Sequence, residues 1–280
     1  MNGRSWDIYE KILSKYDFFN DFRAGNLSKD GYKAKMEENK SDILAAGIGD
    51  YDFFRMSRSV SGNREVIAML EDFKAQGGFA DINYGEKEFR NYYDIIHPNY
   101  EDGGFGTAIF PEDELFMYAA AKLTSPKTMF MAGSYFGYWA IWAMEAIKAN
   151  GGIATLSDIN PDVMRVAEAN MAKFGFSDNV VCTTDDAEKL LLSSDEPIDL
   201  LALDATGAWN DPRPTHRGKI LYSTLLAAAR HRLHMGSIIV IHNLERDLEG
   251  LAPLIAQLDE ISSAKSELIC FNGLGLYRVK

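Results

Sequence analysis

The chain is 280 residues long, 46% apolar and 25% charged, with a formal net charge of −12. That is the make-up of a globular protein of one large domain, or of one domain and an extension. Both parts share the acidic excess, with 14 Lys/Arg against 19 Asp/Glu in residues 1–105 and 15 against 22 in the rest, so neither carries the basic footprint of a nucleic-acid binder. No apolar run reaches the ~18 residues of a membrane helix, and no signal-peptide core follows the N-terminus. The two cysteines, Cys182 and Cys270, fall in expected strands as buried thiols, so the expected compartment is the reducing cytoplasm.

Residues 1–105 read as helical and irregular. Trp6, Tyr9, Ile12, Leu13 and Tyr16 recur at helical spacing. A second helix opens at Ser28, a candidate cap, and a third covers 63–73. Glycine pairs at Gly77-Gly78 and Gly103-Gly104 break the pattern. This third of the chain holds 18 of its 33 aromatic residues. They form either a helical layer packed on the rest or a lid lining a ligand pocket, and the two are compatible.

From Phe110 the pattern becomes regular. A helix over 111–123 starts with Pro111 and three acids. Strands are expected at 128–132, 153–157, 180–183, 199–204 and 237–242. Helices lie between them at 138–149, 161–174, 187–192 and 219–233. The alternation predicts a mostly parallel sheet with helices on both faces. After a helix at 247–261 come strands at 266–270 and 275–279, joined by Asn272-Gly273. That dipeptide is a hairpin signal, which makes the last strand antiparallel, at or near the sheet edge.

The first strand runs into Gly133-Ser134-Tyr135-Phe136-Gly137 and then a helix. Glycines let the backbone turn tightly beside a ligand, and free N–H groups at a helix start attract an anion. The spacing is not the G-x-G-x-x-G of a dinucleotide fold, and a glycine packing turn would account for it equally well. In a doubly wound sheet a ligand sits beyond the carboxyl ends of the strands. Those ends carry Asp158-Ile159-Asn160, Asp186-Ala187, Asp204 and His242-Asn243. Asp158 suits a ribose and Asp186 an adenine amino group, although either also makes a helix cap. The loop Trp209 to Arg217, stiffened by Pro212 and Pro214, is a connector or brings Arg213 or His216 to an acidic or phenolic substrate.

Over about residues 110–280 the chain resembles class I S-adenosylmethionine-dependent methyltransferases, and within them the catechol and caffeoyl-CoA O-methyltransferase group. The residues carrying the resemblance are Gly133-Ser-Tyr-Phe-Gly-Tyr138, Asp158-Ile-Asn-Pro-Asp162, Asp186-Ala187, the run ending in His242-Asn243, and the closing Gly273-Leu-Gly-Leu-Tyr-Arg278. The resemblance implies an α/β, Rossmann-like methyltransferase fold. Its sheet would be seven-stranded and mostly parallel with an antiparallel C-terminal strand, in a domain over 106–280. Residues 1–105, which the resemblance does not reach, are expected from their aromatic excess to form a helical lid over the acceptor. The resemblance implies a cofactor site from Gly133, Ser134, Tyr135, Gly137, Asp158, Ile159, Asn160, Asp186, Ala187 and Asp204. The metal-dependent members put a divalent ion where Asp204, His242 and Asn243 stand. The sequence departs from that group at Met131, Trp139, Asp204-Ala-Thr-Gly207 and His242. Asp204 and His242 are therefore the candidate catalytic pair, with His242 a metal ligand, a general base of ordinary pKa near 6.5, or a structural or ribose-side group.

The expected activity is methyl transfer from S-adenosylmethionine to a small molecule, at oxygen. A divalent metal ion and a homodimer remain options, while nucleic acid and membrane are not expected partners. A nucleotide-dependent oxidoreductase on a Rossmann-type sheet, or a cofactor-binding protein of this fold without methyl transfer, are the competing readings.

Overall fold

The computed structural model describes residues 5–58, 63–244 and 250–280. The start of the helix expected at 247 lies outside them, as does the side chain of Trp6. The N-terminal region forms α1 (Ser5–Leu13), α2 (Asp17–Arg23), α3 (Lys29–Glu38), α4 (Lys40–Ala45), α5 (Asp50–Met56), α6 (Asn63–Ala75) and α7 (Glu86–Asn99). Ser28 caps α3 by accepting from Gly31 N. Then come α8 (Pro111–Thr124), β1 (Thr128–Ala132), α9 (Ile141–Ala149), β2 (Ile153–Ser157), α10 (Pro161–Lys173), β3 (Val180–Thr183), α11 (Ala187–Leu192), β4 (Ile198–Leu203) and α12 (Leu221–Ala229). The chain closes with β5 (Leu233–His242), α13 (Ala252–Ile261), β6 (Ser262–Leu268) and β7 (Leu274–Val279).

The described residues build one seven-stranded sheet in the order β3-β2-β1-β4-β5-β7-β6. The first five strands are parallel, and β7 runs antiparallel to both neighbours. β7 thus lies one strand inside the edge, which β6 forms. β6 starts four residues before the expected 266 because α13 passes directly into it. β5 starts at Leu233 because α12 ends at Ala229.

Strand parity sorts the core. Met129, Met131, Leu200, Ala202, Ile238 and Val240 face α8, α9 and residues 66–100. Phe130, Ala132, Leu201, Leu203, Ile239 and Ile241 face α12 and α13. Residues 64–105 therefore belong to the same core as the sheet. Residues 13–56 make a smaller core of their own, closed by Phe110 and Phe271. No helix among the described residues is long and apolar enough to cross a membrane.

Parallel register brings the functional ends level. Ala132 lies opposite both Ser157 and Leu203, and Leu203 opposite Ile241. Gly133, Asp158, Asp204 and His242 therefore emerge side by side.

Candidate active site

Two cavities open at these strand ends. One, of about 380 Å³, is lined by Gly106–Ile109, Gly133–Phe136, Tyr138, Trp139, Asp158, Asp204, Thr206, Lys219, His242 and Asn243. The other, of about 250 Å³, is lined by Asp158, Ile159, Asp186, Ala187, Glu188, Arg213 and His216. They share Gly133, Asp158, Ala205 and Thr206, so they are two halves of one crevice.

In the half nearest β1 and β2 the backbone sets the geometry. Gly133 has φ +78, and a Cβ there would run into the backbone of Ala205, so only glycine lets β1 leave the sheet at this point. Its N–H and that of Ser134 both donate to Ser157 O, at 2.9 and 3.0 Å. Tyr135 follows at φ +50, and its N–H donates to Asp158 Oδ2 at 3.1 Å. Asn160 N donates to Oδ1 at 3.0 Å. Burial raises the Asp158 pKa against the pull of these two N–H donors, and Asp204 adds to the rise. Each oxygen has a lone pair to spare for a ligand hydroxyl.

Of the ten residues expected at the cofactor, eight line the crevice: Gly133, Ser134, Tyr135, Asp158, Ile159, Asp186, Ala187 and Asp204. Gly137 and Asn160 do not. Gly137 packs under Tyr100 Oη and Ala167, and Asn160 caps α10 by accepting from Asp162 N at 2.9 Å. Asp186 lines the second cavity while also capping α11 through Lys189 N. Arg213 and His216 stand beside Asp186 at that same end. His216 Nε2 lies 2.8 Å from Glu188 Oε2, tying their loop to α11.

The other half is built from side chains. Asp204 Oδ1 lies 3.0 Å from His242 Nδ1 and 3.0 Å from Lys219 Nζ. Lys219 also donates to Asp204 O at 2.9 Å. The second ring nitrogen, Nε2, lies 3.4 Å from Asp113 Oδ2. Asp113 is fully buried and accepts from Phe110 N at 2.7 Å and Asn272 Nδ2 at 2.6 Å. Trp139 leans on the His242 ring at 5.0 Å and donates Nε1 to Asp113 O. Asn243, at φ +56, gives its Nδ2 to Asn272 Oδ1.

The electrostatics follow from this packing. Burial alone would lower the His242 pKa, but Asp204 and then Asp113 outweigh it and push it up to about 9. The expectation of a base titrating near 6.5 is thereby corrected: two carboxylates hold the ring as imidazolium at neutral pH. Burial also works against an ionised Asp204, and His242 and Lys219 overcome it, holding its carboxyl below the usual range. Lys219 is lowered by burial against the opposing pull of Asp204.

Lys219 and Asp113 were invisible to motif reading. Lys219 lies 15 residues beyond Asp204 and read as the start of a helix. Asp113 read as one of three acids favouring a helix N-terminus, yet Glu112, Asp113 and Glu114 are all buried. Asn272 read as a hairpin residue but is buried, donating to Ala108 O and Asp113. Acids in a first turn that precedes an apolar helix were the available signal.

These residues do not fit a divalent metal. One oxygen of the Asp204 carboxylate already holds two cationic side chains, and a ligating imidazole must be neutral with a free lone pair. Among the described residues, no three of His, Cys, Asp or Glu are grouped to hold an ion.

No curated protein matches the chain. Solved structures do. A Bacillus cereus O-methyltransferase in complex with SAH shares 15% identity at TM-score 0.50, over 69% of this chain and 90% of that one. The Streptomyces achromogenes O-methyltransferase TomG, in complex with SAM, shares 15% at 0.50, over 83% and 97%. An O-methyltransferase from Thermotoga maritima shares 13% at 0.50, over 67% and 71%. At such identities the likeness is one of fold. A family model described as a methyltransferase domain matches residues 130–244, the stretch from within β1 to the end of β5 that lines most of the crevice. Residues 130–244 thus match a methyltransferase domain, and the chain shares the fold of these O-methyltransferases.

Proposed function

We propose that the crevice binds S-adenosylmethionine and that the chain transfers its methyl group to an oxygen of a small molecule. One observation carries this reading: the cavity reaching Asp158 continues without a break to Asp204, Lys219 and His242. Asp158 would hold the ribose, Tyr135 and its neighbours the methionine end, and Asp186, Ala187 and Arg213 the adenine. Bound there, the cofactor supplies an electrophilic methyl group.

The chain's own contribution is position and charge. Two of the three Lys219 N–H groups go to Asp204, which leaves one for an acceptor oxygen in the cavity it lines. A charge-assisted hydrogen bond of that kind favours the acceptor as its anion. The imidazolium of His242 keeps Asp204 ionised, and Asp204 keeps Lys219 aimed. Tyr135, Phe136, Tyr138 and Trp139 supply an aromatic wall. The N-terminal region braces that wall from behind. Tyr100 Oη donates to Phe136 O at 2.6 Å, and the Phe105 ring meets Tyr135 at 5.9 Å.

Calorimetry with S-adenosylmethionine, S-adenosylhomocysteine and NAD tests the reading. The first two should bind and NAD should not. NAD binding, or no binding of the adenosyl compounds, would overturn it in favour of an oxidoreductase or another ligand.

A further inference from the structure

The resemblance puts a divalent ion between the ends of β4 and β5, and the side chains there are arranged for something else. Both ring nitrogens of His242 face carboxylates, Nδ1 toward Asp204 at 3.0 Å and Nε2 toward Asp113 at 3.4 Å. Lys219 Nζ sits on the same Asp204 oxygen. The Asn243 amide is drawn off to Asn272. Two cationic side chains thus stand against two carboxylates where one doubly charged ion would stand.

We propose that this methyltransferase works without a metal, that His242 and Lys219 supply the positive charge of the missing ion, and that Asp113 is the positioning residue that commits His242 to this role. The proposal rests on the methyltransferase reading of the crevice. Its charge count is the physical core. A divalent ion brings two positive charges to an acceptor anion, and so does the pair, but with the charges fixed to the protein. Asp113 is what makes the substitution stable. It comes from α8, outside every sequence motif, and Phe110 N and Asn272 Nδ2 hold it rigidly. With Asp204 alone, a buried ring would keep Nε2 as a free lone pair able to ligate. With the Asp113 carboxylate 3.4 Å behind it, a proton on that nitrogen is favoured over a free lone pair. Asp204 and Lys219 remain the partly exposed members, so the charge reaches the cavity through Lys219.

Manganese binding to the full chain, followed by electron paramagnetic resonance of the free ion, tests this without any acceptor. The wild type should show no site tighter than about 1 mM, the weakest class of specific affinity. His242→Asp combined with Lys219→Ala restores a hard carboxylate and removes the competing ammonium, so it should gain one site at least about tenfold tighter. Tight manganese binding by the wild type that Asp204→Ala abolishes would overturn the proposal, as would a double variant that gains no site. For Asp113, ring NMR of His242 in Asp113→Asn should show the titration midpoint falling by about one pH unit or more, and an unmoved midpoint would remove its role. S-adenosylhomocysteine titrated into the same samples separates the two claims, because its failure to bind would sink the cofactor reading and leave the manganese result standing.

Discussion

The two halves of the crevice are built differently. At the β1–β2 end the ligand-facing geometry is backbone, with Gly133, Tyr135 and Asp158 linked by hydrogen bonds across two adjacent strands. At the β4–β5 end it is a set of side chains delivered by α8, β4, the loop before α12, and β5. The first kind of site tolerates little change in the chain's path but depends on few side chains. The second depends on charges that balance only as a group, since each buried charge there is costly without its partner.

The largest expected effect tests the backbone half. Gly133→Ala forces a Cβ into Ala205 at a positive φ. It should cost about 2–5 kcal/mol, from overpacking and left-handed strain together, read as a lower melting temperature and lost binding of S-adenosylhomocysteine. A stable, binding variant would show that the turn is adaptable and would erase the contrast between the halves.

The side-chain half should respond in rate. Lys219→Ala removes the donor to the acceptor oxygen and should lower kcat by about 10²–10³-fold, with cofactor affinity unchanged in calorimetry. An equal loss of affinity would mean that the halves are not separable.

Asp158 stands at the junction. Asp158→Ala deprives the ribose of its charged acceptor at a cost of about 1.5–3 kcal/mol, a 10- to 100-fold weaker cofactor affinity. Unchanged affinity would move the ribose elsewhere.

The smallest effect is a matter of pH. The His242 pKa is raised in the folded chain, from 6.5 to about 9. The stability it contributes is therefore complete below pH 6.5 and is lost as pH rises through about 9. Turnover should follow the same sense, holding through neutrality and declining above about pH 9. A rate that instead climbs up to that pH would make His242 a base.

Much of the fold was legible because it rests on short-range rules. Apolar runs broken by helical periods at 128–132, 153–157 and 199–204 became β1, β2 and β4. Pro161 and Asp186 marked helix starts that the structure keeps. What the sequence left unread lies where tertiary packing adds to local preference. The acids at 112–114 are buried under the N-terminal helices, and the Asn272 turn is pulled inward to Asp113. Arg213 and His216 line the crevice beside Asp186, an end that the loop's composition does not specify, because composition does not say which way a loop folds over a sheet.

The sequence by itself determined the strand alternation, the glycine turn and the polar residue at each strand end, because these follow from periodicity and from the backbone freedom of single residues. Only the tertiary structure decided what those polar residues are. Whether His242 ligates, accepts a proton or carries a charge depends on its distance to Asp113, 129 positions earlier in the chain. A pKa is set by the neighbours that packing brings within a few ångströms, and sequence spacing does not encode them.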